Sequence, residues 1–297
     1  MLAFSFTFPA TTLAERSFAP LLVGAGRSVI SAAIAAACLL RWRVPLPSRR
    51  DLPGLIVVAL GCGIGFGVLS ALALGHTSST HAAVVVGLLP AATAVVAVVR
   101  VGDRPGRLFW AASLVGTITV TGYALSRGGG SLQPGDLLLL GSVVVAAFGY
   151  AEGGRLTMSI PGWQVTAWGL VLALPISLPL TVAALVHHPP TSVSASAVAG
   201  FAYVGTISTF FGFFAWYRGL AEAGVARASQ VQLAQPLLTI AWSVPLLGEQ
   251  LDPGAVLTAA IVAVCVLVTQ RARLTRAREA PLSPPSPRSV PACADER

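Results

Sequence analysis

From residue 2 to residue 270 the chain is almost continuously apolar, broken at short intervals by glycine, proline or arginine-bearing stretches. Lipid offers the backbone no hydrogen bonds, so such segments can be stable in it only as helices or as a closed barrel. A helix needs about 20 apolar residues to cross the hydrocarbon core. The runs fall at 2–15, 18–40, 52–74, 77–99, 108–126, 136–154, 163–186, 196–217, 224–247 and 253–270. Their lengths predict an all-α integral membrane protein of ten transmembrane helices. The first run is short for a span, so that helix is tilted, incomplete, or begins upstream of Met1. Residues 1–15 lack the basic start and small-residue cleavage site of a removable signal peptide and read as a first membrane helix. With 10% charged residues and a mean hydropathy of +0.79, the chain stands far from the roughly 25% charge of soluble domains.

The net charge of +8 would suit a nucleic-acid binder, but every Lys-or-Arg cation is an arginine and most flank apolar runs instead of forming one basic face. No nucleic-acid partner is expected. The arginines report topology. Arg41, Arg43, Arg49 and Arg50 follow the second run, Arg100, Arg104 and Arg107 the fourth, and Arg271, Arg273, Arg276 and Arg278 the tenth. The opposite loops hold Arg16, Arg127, His187, His188, Glu249 and Asp252. Positive loops stay inside, which predicts a multi-pass plasma or inner membrane protein with both termini cytoplasmic. Residues 271–297 are expected to be a disordered cytoplasmic tail, because the Pro/Ser-rich stretch after Arg278 cannot build a core. Cys38, Cys62, Cys265 and Cys293 are too far apart for a metal or disulfide framework. No cofactor motif is present.

A shift of 146 positions carries Pro90 onto Pro236, Thr93 onto Thr239, and Gly102-Asp103 onto Gly248-Glu249. An internal duplication then divides the chain into a first five-helix repeat, 1–127, and a second, 128–270. Five is odd, so the second copy enters the membrane the opposite way and the repeats are inverted. Inverted repeats are a recurrent plan of secondary transporters, with the solute site between the halves near the midplane.

Several stretches carry a resemblance: ARASQVQLAQPLLTIAWSVPLLGEQL in the ninth and tenth runs, its first-half echo HAAVVVGLLPAATAVVAVVRVGD, AGRSVISAAIAAACLL in the second, and FGYAEGGRL with GWQVTAWGLVLALP. Over about residues 3–270 the chain resembles the EamA-like proteins of the drug/metabolite transporter superfamily. The resemblance implies a permease for a small-molecule solute in the lipid bilayer, often an exporter of amino acids or related metabolites. The short first helix departs from the family pattern.

Ser229, Gln232, Pro236, Thr239 and Ser243 recur at three- and four-residue steps on the ninth run. Such a polar stripe must face protein or water. Gln232 lies ~14 Å inside the cytoplasmic end, near the middle of the core. The stripe either lines a pathway or only bonds neighbouring helices at about 0.6 kcal/mol per contact. Gln235 and Tyr150 are placed on the same pathway. Pro90 and Pro236 fall within the fourth and ninth runs, where a missing N–H should bend each helix or free a carbonyl.

Arg27 lies about eight to ten residues into the second helix, where a guanidinium must be paired or hydrated. It either receives a solute carboxylate or is locked by an acid or by backbone carbonyls. Glu152 precedes Arg155 by three positions, which predicts an interfacial ion pair. If Glu152 points inward it is a candidate for proton coupling, as is His81 at the outer end of the fourth run. In FFGFFAWYRGL, Trp216 suits the interfacial belt, while Phe213 and Trp216 are also candidates for a gate. The glycines of GCGIGFG offer a flat ridge for close helix approach.

A membrane enzyme would need paired acids for a metal, H-E-x-x-H, or a nucleophile beside a base, and none occurs. The Walker lysine is impossible in a chain without lysine. A channel or a non-transporting membrane protein is the remaining alternative. Oligomeric state is not encoded in any of these features.

Overall fold

The computed structural model describes residues 2–89, 91–93, 95–96, 107–127, 133–216 and 235–279. All regular structure among them is helical. In chain order the helices are α1, in two pieces (Leu2–Ser5 and Thr7–Glu15), α2 (Pro20–Arg41), α3 (Leu52–Leu74), α4 (Ser79–Val86), α5 (Arg107–Arg127), α6 (Pro134–Leu156), α7 (Gly162–His187), α8 (Ala195–Trp216), α9 (Gln235–Leu247) and α10 (Pro253–Glu279). Each apolar run therefore contains described helix. Among the described residues five helices are long and apolar enough to cross a membrane: α2, α3, α6, α7 and α8. The described α9 and the apolar part of α10, Pro253–Cys265, are shorter.

The helix starts follow local chemistry. Proline opens α2, α6 and α10, where its missing N–H has no helical acceptor to lose. Ser78 accepts the His81 N–H at the start of α4, and Ser194 accepts that of Ala197 at the start of α8, each hydroxyl satisfying one orphan donor. The end of α10 differs from expectation. Helix continues past residue 270 to Glu279, because RARLTRARE is rich in strong helix formers. The expected tail thus begins as helix, and 280–297 lie outside the described residues.

Two features were not expected. Ala59–Gly65 within α3 and Val204–Phe211 within α8 are π-helical, wider turns that carry an extra residue and free carbonyls from the α pattern. Glycine makes them possible. A Cβ on Gly65 would lie 2.4 Å from the Leu60 carbonyl, and one on Gly212 would lie 3.0 Å from that of Ile207. The glycine ridge of α3 also serves close approach, since a Cβ on Gly61 would come within 2.3 Å of the Val145 carbonyl on α6.

Among the described elements the most extensive packing joins α3 with α6, α2 with α7, α5 with α10 and α1 with α8, followed by α3 with α7, α2 with α3 and α2 with α8; α4 also packs on α9. The largest apolar core gathers Phe8, Ala83, Val120, Leu139 and Val143 from α1, α4, α5 and α6. Large apolar side chains also cover the outside, among them Leu114 and Ile118 on α5 and Val182 and Val186 on α7. A surface so apolar suits lipid and not water.

Candidate functional site

Three residues of α2 hold the two π turns. Ser28 Oγ donates to the Gly63 carbonyl, and Ser31 Oγ donates to the Gly205 carbonyl at 2.5 Å. Each hydroxyl meets an acceptor within a π segment. Arg27 sits beside them. Its Nε donates to Thr209 Oγ1 at 2.8 Å, and Nη2 approaches Ser208 Oγ at 3.5 Å. Thr209 in turn donates to the Val204 carbonyl five residues back, and Ser208 shares a 2.7 Å hydrogen bond with Thr7 of α1. The π turn of α8 thus presents two hydroxyls to the guanidinium.

Arg27 is buried, and its Nη1 has no hydrogen-bond partner among the described residues. Among the described residues neither the acid partner nor the carbonyl cluster of a structural arginine meets it: its bonds go to hydroxyls. The stem fits because Gly67 has no side chain, a Cβ at that position falling 3.3 Å from Arg27 Cδ.

Tyr150 of α6 lies within electrostatic reach of Arg27. It belongs to an aromatic cluster with Phe4, Phe213 and Trp216, around Cys62. Phe213 meets Phe4 edge-on at 5.2 Å and Tyr150 at 5.8 Å, and Trp216 meets Phe4 at 6.5 Å. The two gate candidates are therefore packed with a pathway candidate beside the buried cation. A small, half-open cleft adjoins them, lined by Cys62, Gly63, Thr166, Leu170, Thr209 and Phe213.

A second small cleft lies where α1, α4 and α9 meet, and Gln235, Pro236 and Thr239 line it with Phe8, Ala83 and Gly87. Thr239 donates to the Ser5 carbonyl at 2.8 Å, at the break between the two pieces of α1. Pro236 lies in α9 beside Gln235. Pro90, Ser229 and Gln232 lie outside the described residues.

At one end of the bundle His81 Nε2 meets Asp136 Oδ1 at 2.5 Å with both side chains buried. The imidazole stacks on Tyr123 at 5.3 Å, whose hydroxyl donates to Asp252 at 2.9 Å. Glu249 accepts the Ser79 and Thr80 N–H groups at 2.8 and 3.0 Å, capping α4 from the loop after α9. Sequence reasoning missed Asp136 and the capping role of Glu249. Asp136 also accepts the Gln133 N–H, so locally it reads as a helix cap. At the other end of α6, Arg155 grips Glu152 at 2.6 and 2.8 Å, as the spacing predicts. The carboxylate side is 6% exposed and the arginine 52%, so a buried acid is tethered to a surface cation.

With this geometry in view, the comparisons are direct. The EamA-like transporter family matches residues 1–125 and again 133–270. The chain belongs to the EamA-like transporter family. The chain is 43% identical over 274 residues to the uncharacterized transporter YdeK of Bacillus subtilis, covering 91% of this chain and 94% of that one. It is 24% identical over 237 residues to a probable terminal-alkyne amino-acid exporter of Streptantibioticus cattleyicolor, covering 79% and 78%. A solved crystal structure superposes with a TM-score of 0.63 over 94% of this chain and 96% of that one, at 19% identity. That likeness concerns the fold alone. As an EamA-like protein this is a multi-pass membrane transporter of the drug/metabolite superfamily, with a small-molecule solute. Family and relatives point to transport and not catalysis.

Proposed function

We propose that the protein is a secondary transporter that moves a small metabolite, such as an amino acid or related solute, out of the cell across the plasma membrane by alternating access. Ten helices cross the bilayer as two inverted five-helix repeats, with both termini cytoplasmic. The observation that carries this reading is the placement of the π turns. The shift of 146 that pairs Pro90 with Pro236 carries 59–65 onto 205–211, nearly the bounds of the second π segment, Val204–Phe211. Several of the helix pairings agree, α3–α7 with α8–α2 among them. Under the same exchange α2–α7, α5–α10 and α4–α9 each map onto themselves, while α1–α8 maps onto α6–α3.

Symmetry of this kind supplies two equivalent states. Ser31 holds Gly205 in the structure, and the shift carries Ser31 onto Ser177, a buried hydroxyl with no partner among the described residues. Exchanging the roles of the repeats moves the grip from one serine to the other. Arg27, Tyr150, Gln235, Pro236 and Thr239 line the route, together with Pro90, Ser229 and Gln232. Phe213 and Trp216 close it. The His81–Asp136 pair at the outer end and Glu152 at the inner end are the groups available for proton coupling. The relative named as an amino-acid exporter favours an amino-acid-like solute and the outward direction.

The test is flux in proteoliposomes containing only the purified chain, screened with labelled amino acids, amines and nucleosides under an imposed proton gradient. Saturable flux of one solute class, abolished by an uncoupler, is expected. Non-saturating ion conductance, or no movement of any solute, would refute the proposal.

A further inference from the structure

Arg27 is 4% exposed, and the bonds it makes neutralise no charge. A cation away from water is costly unless a counter-charge or a full set of acceptors attends it. The pattern of its bonds is uneven. Nε is anchored on Thr209 at 2.8 Å, Nη2 stands 3.5 Å from Ser208, and Nη1 has no partner among the described residues. The Nη1–Nη2 edge is one of those that grip a carboxylate with two parallel hydrogen bonds. The protein orients the fork and leaves that edge its donors.

The surroundings define the rest of the ligand. Thr209 lines the cleft with Cys62, Leu170 and Phe213, and Tyr150, Phe4 and Trp216 pack around Phe213. No described Asp, Glu, His or Arg lines that cleft; the guanidinium stands behind Thr209, which holds its Nε. A largely apolar space with Phe213 in its wall and a buried cation behind Thr209 suits a compact monoanion carrying an apolar body. We infer that Arg27 is the carboxylate-binding end of the solute site, and that the solute is a small monocarboxylate with an apolar or aromatic body, apolar amino acids included. This rests on the transport reading above and names its substrate class.

The test uses the full chain in lipid nanodiscs and in proteoliposomes, with matched probes that differ only in charge: phenylalanine and phenylalaninamide, leucine and leucinamide, 3-phenylpropionate and 3-phenylpropionamide. Binding is read by thermal shift and transport by competition for flux. On the parent, at least one acid is expected to bind at least tenfold more tightly than its amide. In Arg27→Gln the preference should fall below twofold, while Arg27→Lys keeps part of it, having the charge without the fork. Empty Arg27→Gln should melt no lower than the parent, because it removes a charge from a dry site. The inference is overturned by equal affinity for acid and amide on the parent, or by no acid binding at millimolar concentration. It is also overturned if Arg27→Gln melts lower while its surviving fraction keeps the acid preference. The two readings fail separately. Acid binding without flux would remove the transport reading alone, whereas flux of some other solute with no acid preference would remove only the anion site.

Discussion

At the scale of single residues, several buried polar groups in this bundle meet partners distant in sequence, and those partners decide what each group does. His81 illustrates it: its imidazole, read from sequence as a lone titratable group near a helix end, is closed by Asp136 and stacked on Tyr123. Removing one member of a buried, hydrogen-bonded pair strands the other. His81→Ala is therefore expected to destabilise the protein by about 3 kcal/mol, the cost of leaving Asp136 buried without its partner. Asp136→Asn should cost less, since an amide can still accept from Gln133 and bond the imidazole. Thermal unfolding of both variants in the same lipid checks the order, and a larger loss for Asp136→Asn would show that the carboxylate's charge, not the pairing, is what matters. Arg155 and Glu152 stand at the other extreme, because a pair three residues apart on one helix is readable from spacing alone.

At the scale of elements, periodic apolar runs were enough to locate the helices, since a segment that must bury its backbone bonds in lipid has no alternative to helix. α2, α3, α5, α6, α7 and α8 coincide with their runs to within a few residues, α10 continues beyond its run, and the starts at Pro20, Ser79, Pro134 and Ala195 fall where capping chemistry puts them. The π turns were not legible. An extra residue in one turn leaves the apolar content of a span unchanged, and its carbonyls are received by Ser28 and Ser31 on another helix. Only the glycines hinted at it, and they have a second duty in close packing. Gly61→Val tests this, because its Cβ would meet the Val145 carbonyl at 2.3 Å. Overpacking of about 1–3 kcal/mol is expected, with loss of folded yield. In Gly122→Ala, where nothing lies within 4 Å of the added carbon, the helix should gain about 0.5–1 kcal/mol instead. Equal behaviour of the two in thermal unfolding would contradict the tight α3–α6 contact.

At the scale of the whole molecule, the proposed function needs two half-sites, one from each repeat. The polar stripe of the ninth run pointed to Pro236 and Thr239, which do meet α1 and α4 at a cleft. The aromatic cluster and the unpaired face of Arg27 draw on α1, α2, α3, α6 and α8 at once, an assembly that no one-dimensional pattern displays. The central claim is the inversion of the two repeats, and it has a direct test. In a background with the natural cysteines replaced, Asp103→Cys and Gln250→Cys put single thiols in the equivalent loops after the fourth and ninth runs. Those loops lie on opposite sides only if the repeats are inverted, and the arginines around Asp103 place it inside. With a membrane-impermeant thiol reagent on intact cells, Gln250→Cys is predicted to label and Asp103→Cys to label only after permeabilisation; labelling of both, or of neither, in intact cells would contradict the account.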